Sequence, residues 1–227
     1  MSSMKRLTTI ALTLLAALAV AFAAAAFGAG ITVYKSGFDS KGQYEALKKL
    51  QGPRKQCKRD WRDKSAFGVG TKGGPVACAV STPVSGDADQ PNQTVRVVAK
   101  VNKDTDDKVR ETMYVGAVVR ANRKENYELR VYPKARRFEL LKSGEVLEDG
   151  REKVIEGLAT KNRIELTAQG ATITGKVNGK ELASLRDKDA DQVDGRQTGL
   201  SYGNAGRSKK GVGKALFDKL KVQIPSK

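Results

Sequence analysis

A chain of 227 residues with 42 Lys and Arg against 25 Asp and Glu carries a formal net charge of +17, and has room for one sizeable core plus a short accessory segment, not two full domains. A surface this basic favours polyanions. The chain has no histidine, which removes the commonest general base, and its two cysteines stand in no metal-binding pattern.

Lys5 and Arg6 precede an uncharged, Ala- and Leu-rich stretch from Leu7 to Tyr34. This reads as a secretory signal peptide cleaved after Ala26 or Gly28, or as an uncleaved anchor long enough to span a bilayer. Residues 1–30 are assigned to that segment and 31–227 to the folded domain, which lies outside the cytoplasm in either case, secreted or held at the cell surface through residues 7–34. Two thiols in an oxidising compartment tend to pair, so Cys57 and Cys78 are expected to form a disulfide closing a loop of about 21 residues. Two unpaired buried thiols are the alternative.

Ile31 to Tyr34 reads as the first strand. From Gln43 to Leu50 the residues Tyr44, Leu47 and Leu50 recur every third position, which predicts a short surface helix ended by Gly52-Pro53. Arg54 to Gly74 reads as basic and irregular and carries Trp61. Strands are predicted over Pro75 to Ser81 and Thr94 to Val101. Met113 to Leu141 then gives three strands with two polar breaks: the nearly continuous apolar run Tyr114 to Arg120, the alternating Tyr127 to Tyr132 closed by Pro133, and Arg136 to Leu141. Weaker strands are placed at Glu145 to Leu147 and Lys153 to Ile155, and firmer ones at Asn162 to Ala168 and Ala171 to Val177. Asn178-Gly179 is a strong hairpin signal, because a type I′ turn needs positive φ at both central residues. Glu181 to Leu185, Gln197 to Tyr202 and Lys214 to Ile224 follow, the last with Ala215, Phe217 and Lys219 on one face. About eleven short strands at regular spacing predict an all-β, two-sheet antiparallel jelly-roll β-sandwich with one short surface helix, preceded by the N-terminal hydrophobic signal or anchor helix.

Four places resemble the concanavalin A-like lectin/glucanase superfamily, in the branch of laminin G-like jelly rolls and 3-keto-disaccharide hydrolase-type domains. Tyr114-Val115-Gly116-Ala117-Val118-Val119-Arg120 followed by Asn126-Tyr127-Glu128-Leu129-Arg130-Val131 is similar to a recurring strand pair of that family. Val177-Asn178-Gly179-Lys180 resembles its hairpin, Gly195-Arg196 with Gly199-Leu200 a later strand, and Phe217-Asp218-Lys219-Leu220-Lys221-Val222 its closing strand. The resemblance spans about Phe38 to Val222. It implies fold more than activity, since members include glycan-binding modules, glycosidases and adhesion domains.

A glycosidase needs two carboxyl groups flanking the bond. The family's Glu-x-Asp-x-Glu type of run does not occur here, and Glu128 and Glu139, flanked by Arg130 and Arg137, read as cross-strand ion pairs, so catalysis is not expected. Sugar binding needs planar rings and polar groups. Tyr132 falls on the polar face of its strand with Glu128 and Arg130, and is the leading candidate for an exposed platform; Trp61 and Tyr127 read more readily as packed rings. The Gly203 to Lys214 loop lacks the Gly-Lys step and following helix of a phosphate-binding loop, but Arg207, Lys209 and Lys210 at its tip suit an anionic polymer. No cofactor is expected beyond a structural calcium, for which the resemblance suggests Asp39 and Asp218, on or beside neighbouring first and last strands. The leading reading is an exported, non-catalytic domain that binds carbohydrate or an anionic cell-envelope polymer; export makes nucleic acid the least available partner. A glycoside hydrolase of the 3-keto-disaccharide type and an adhesion module with a protein partner are the alternatives.

Overall fold

The computed structural model describes residues 30–62, 66–83, 90–193, 195–208 and 210–226. Residues 32–224 form one compact unit. The expected signal or anchor segment and Lys209 lie outside the described residues. Among the described residues no helix is long and apolar enough to cross a membrane.

Among the described residues fifteen strands follow in chain order, with helices too short to organise anything: β1 (Ile31–Ser36), α1 (Lys41–Glu45), β2 (Lys48–Gln51), β3 (Cys57–Arg62), β4 (Ala66–Lys72), β5 (Val76–Ser81), β6 (Gln93–Val101), α2 (Asp107–Arg110), β7 (Met113–Ala121), β8 (Tyr127–Tyr132), β9 (Arg137–Lys142), β10 (Glu145–Arg151), β11 (Asn162–Gln169), β12 (Thr172–Val177), β13 (Lys180–Arg186), β14 (Gln197–Asn204) and β15 (Val212–Ile224). They make two antiparallel sheets, one of eight strands ordered β13-β12-β11-β6-β15-β4-β3 with β1 also paired to β15, and one of seven ordered β10-β9-β8-β7-β14-β5-β2. The first and last strands are neighbours, as the resemblance implied.

Period-two alternation decides which side chains meet between the sheets. Val95, Val97, Ala99 and Val101 of β6 join Met113, Val115, Ala117 and Val119 of β7, with Leu129 and Val131 of β8, in one core cluster. Two tethers hold the sheets together. The Cys57–Cys78 disulfide, with Cα atoms 5.8 Å apart, links β3 of one sheet to β5 of the other. The Tyr202 hydroxyl donates to the Lys58 carbonyl oxygen at 3.1 Å, again from sheet to sheet. At the rim, buried Arg120 donates to the carbonyl oxygens of Pro91 (2.8 Å), Gly170 (2.6 Å) and Ala190 (3.0 Å), drawing three connections to one point.

The structure corrects the sequence reading in several places. The helix predicted over Gln43 to Leu50 stops at Glu45, and Lys48–Gln51 is a strand paired with β5. Leu47 is buried at its entrance, so the apolar spacing marks core positions and not a helix face. Arg54 to Gly74 is not irregular: it holds β3, whose charged residues Lys58, Arg59, Asp60 and Arg62 mask the strand pattern, and β4, where Gly68 and Gly70 interrupt it. Lys153 to Ile155 is turn, whereas the strand begun at Glu145 runs on to Arg151. The β9–β10 link, Ser143-Gly144, has φ of 52° and 92°, the same chemistry as Asn178-Gly179 with 52° and 89°. In β15 the simple alternation breaks: a bulge between Phe217 and Lys219 against β6 turns Leu220, Val222 and Ile224 inward and Lys219 outward.

Candidate functional site

The outer face of the seven-stranded sheet carries a polar network whose members come from four adjacent strands. Cross-strand register sets Arg130 beside Gly116 on one side and Glu139 on the other, and Ser201 on the far side of Gly116. One step along, Tyr132 pairs with Arg137, and the rings of Tyr132 and Tyr114 stand 5.6 Å apart and tilted by 54°. Gly203, next to Tyr114 in the ladder, must be glycine, because a Cβ there would lie 2.5 Å from the Tyr114 hydroxyl oxygen.

Charge organises this face. The Arg130 guanidinium donates to Glu128 Oε2 at 2.8 Å and lies 4.0 Å from Glu139 Oε2. Its carbon stands 4.6 Å from the centre of the Tyr114 ring, while the Arg137 guanidinium covers Tyr132 at 4.1 Å and also pairs with Glu139. The Tyr132 hydroxyl donates to Glu139 Oε2 at 2.6 Å. Burial works most strongly against the charge on Arg130, but the Glu128 carboxylate together with Tyr114 and Tyr132 outweighs it and holds the guanidinium above its ordinary pKa. Burial raises the pKa of both Tyr114 and Tyr132, and for Tyr132 the hydrogen bond to the Glu139 carboxylate adds to it.

Beside this network lies a cleft of about 210 Å³ lined by Gln51, Gly52, Ala77, Asn126, Glu128, Arg130, Ser143 and Gly144. Three of its lining residues present buried polar atoms with no hydrogen-bond partner: Asn126 Oδ1, Glu128 Oε1 and Arg130 Nε. The same is true of Tyr114 Oη and Ser201 Oγ on the adjoining strands. Native interiors satisfy nearly all such groups, because an orphaned one costs about 1–3 kcal/mol. Two acceptors and one donor around one cleft suit a polyhydroxylated ligand, whose hydroxyls donate and accept at once.

Of the residues singled out in the sequence, Glu128, Arg130 and Tyr132 are brought together here. Tyr132 is not an exposed platform, however: it is fully buried under Arg137 and against Tyr114. Glu128 and Glu139 point outward from the sandwich as expected but are buried too, each ion-paired to arginine. Alternation identified the face without revealing how tightly its long side chains pack over one another. Trp61 stands apart on β3, half-buried, its indole N–H donating to the Phe38 carbonyl oxygen at 3.0 Å. Arg207 and Lys210 are exposed on the β14–β15 connection, with no contact to the network. Tyr127 is core, its hydroxyl donating to Asp187 at 2.5 Å. Of the two residues suggested for calcium, Asp39 and Asp218, the Asp218 carboxylate pairs with the Lys161 ammonium at 2.5 Å. Among the described residues no three His, Cys, Asp or Glu side chains converge, whereas calcium takes six to eight oxygen ligands. The roles of Asn126 and Ser201 had no local signal; Ser201 reaches the site only through the pairing of β14 with β7.

No protein-family model matches the chain, and no curated protein matches it. Solved structures do. The carbohydrate-binding module CBM66 from Bacillus subtilis superposes with a TM-score of 0.55 at 12% identity, over 78% of this chain and 95% of that one. A structure from work on endo-acting O-glycanases of the human gut microbiota gives 0.58 at 11%, over 86% and 100%. The laminarinase from Flavobacterium sp. UMI-01 gives 0.56 at 9%, over 85% and 100%. The chain has the concanavalin A-like jelly-roll fold. At these identities the likeness establishes the architecture of the two sheets, and any activity has to be argued from the side chains themselves.

Proposed function

We propose that this protein is an exported jelly-roll domain that binds carbohydrate, with one sugar unit held in the cleft beside β8. The observation that carries this reading is the set of orphaned buried polar atoms at Asn126, Glu128 and Arg130 around that cleft, continued by Tyr114 and Ser201. The polar side chains that line the cleft, Gln51, Asn126, Glu128, Arg130 and Ser143, offer donors and acceptors to sugar hydroxyls. Binding modules and glycanases among the structural neighbours support the same class of ligand, and the disulfide suits an oxidising compartment outside the cytoplasm.

Both carboxylates of the network are engaged by arginine, which fits a recognition surface better than an acid and nucleophile pair. The test is a glycan panel presented to the full chain at two ionic strengths. A retained glycan should lose about tenfold or more in affinity with Asn126→Ala or Glu128→Gln, since hydrogen bonds to charged groups are worth about 1.5–3 kcal/mol. Absence of retention on every glycan at both salt concentrations refutes the proposal. Release of new reducing ends that Glu128→Gln abolishes replaces it with a glycoside hydrolase.

A further inference from the structure

We infer that the outer face of the eight-stranded sheet, opposite the cleft just described, is a second binding surface, and that its ligand is an extended acidic polysaccharide bearing carboxylates. It extends the carbohydrate reading to a different face and depends on different residues. Cross-strand register sets Arg163 of β11 and Lys219 of β15 on either side of Val98 of β6. Adjacent strands lie about 4.8 Å apart, so the two cations flank an apolar floor across about 10 Å. The next outward row along the strands carries Lys221, Arg96, Glu165 and Lys176 in that order. Arg96 is paired with Glu165, but Lys100, Arg163, Lys176, Lys219 and Lys221 have no carboxylate partner among the described residues. Positive charges that look scattered along the sequence are therefore gathered on one sheet face, where they outnumber the carboxylates of Glu165 and Glu181 in the same row.

A cleft of about 570 Å³ opens at the edge of this patch, lined among others by Val98, Val154, the cations Arg163 and Lys219, the Lys161–Asp218 pair and the carboxylate of Glu156. Its volume falls within the ~300–1,000 Å³ of small-ligand sites. Val98 and Val154 offer an apolar floor for the C–H face of a pyranose, and Arg163 and Lys219 stand ready for its carboxylate. Lys221 and Lys176 continue the track for further acidic units. The β15 bulge creates this geometry: without it Lys219 would face the core. The exposed apolar side chains Val146 and Leu147 belong to β10 of the other sheet, and none of the residues named in the patch is a large apolar side chain of the kind that inserts into a bilayer. None of the residues named in the patch is aromatic, so it provides no stacking platform for nucleobases.

Equilibrium binding of the full chain to polygalacturonate, dextran, phosphatidylglycerol vesicles and duplex DNA at about 0.05 M and 0.15 M salt tests this, the Debye length being about 10 Å at 0.1 M. Polygalacturonate should bind and dextran should not compete. Arg163→Ala combined with Lys219→Ala should weaken polygalacturonate about tenfold or more with an unchanged thermal midpoint, whereas the charge-matched pair Lys103→Ala and Lys108→Ala should change it less than twofold. Equal losses in the two double variants mean diffuse charge attraction and overturn the inference. So does absence of polygalacturonate binding, or tighter binding to vesicles or DNA. Asn126→Ala and Glu128→Gln should leave this affinity unchanged, so failure of either site is read separately from the other.

Discussion

Replacing Arg130 with Met keeps the length of the side chain and removes the one cation that two buried carboxylates share. In the native protein the guanidinium is 2.8 Å from Glu128 and 4.0 Å from Glu139, with side-chain exposures of 15%, 6% and 12% respectively. At an effective dielectric of about 20, each such contact near 4 Å is worth about 4 kcal/mol of Coulomb attraction, much of it offset by desolvation. Deleting one partner is different, because the remaining charges stay buried and uncompensated, and the expected cost is about 3–5 kcal/mol. Glu139 keeps Arg137 and Tyr132, so most of that cost falls on Glu128. Urea unfolding at pH 7 should shift its midpoint down by about 1–2 M, taking an m-value of about 2–3 kcal/mol/M. Adding Glu128→Gln to Arg130→Met should recover about 1–3 kcal/mol relative to the sum of the two single variants. A single variant within 0.5 kcal/mol of the parent, as judged against the ~0.5 kcal/mol additivity of independent sites, or a double variant that is merely additive, would refute this account of the network.

Three further outcomes are expected. Reducing the disulfide, or combining Cys57→Ser with Cys78→Ser, should cost about 3 kcal/mol by releasing the closed loop in the unfolded chain, measured as the loss of unfolding free energy in denaturant. Burial pushes the Tyr202 hydroxyl up to about 12 and also raises Tyr114, Tyr127 and Tyr132. A raised folded-state pKa means stability that is complete below the ordinary value near 10 and lost as the pH climbs through the folded value. Ultraviolet titration should therefore show these four of the six tyrosines ionising only together with unfolding, and early reversible ionisation of all six would contradict their burial. Finally, Gly203→Ala should destabilise by about 1–3 kcal/mol, seen as a lowered thermal midpoint, because its Cβ would crowd the Val76 carbonyl oxygen and the Tyr114 ring, and adding Tyr114→Phe should leave most of that loss in place because the backbone oxygen and the ring edge remain.

Strands whose neighbours are close in the chain were legible from residues alone. Pro133 and the polar breaks at Asn122 and Asn126 delimit β7, β8 and β9, and Asn178-Gly179 supplies the one turn type that closes β12 onto β13. Face assignment by alternation also held, putting Glu128, Arg130 and Tyr132 together and away from the core. It failed where charge overrides pattern, in β3, where glycines interrupt it, in β4, and where two or three apolar residues fit either period, in Leu47 and Leu50. It failed again at the β15 bulge, because one inserted residue exchanges the two faces and leaves no mark in composition.

What the amino-acid sequence determined by itself is therefore local: an all-β chain, its turn chemistry, and which side chains of each strand share a face. Tertiary structure decided everything that depends on distant strands lying side by side. Ser201 and Arg130 flank Gly116, and Arg163 faces Lys219 across Val98, through hydrogen-bonded ladders between segments distant in the chain. Whether a polar side chain on such a face is exposed, paired or orphaned depends on its neighbours' packing. That is why Tyr132 was placed on the right face and yet is sealed beneath Arg137.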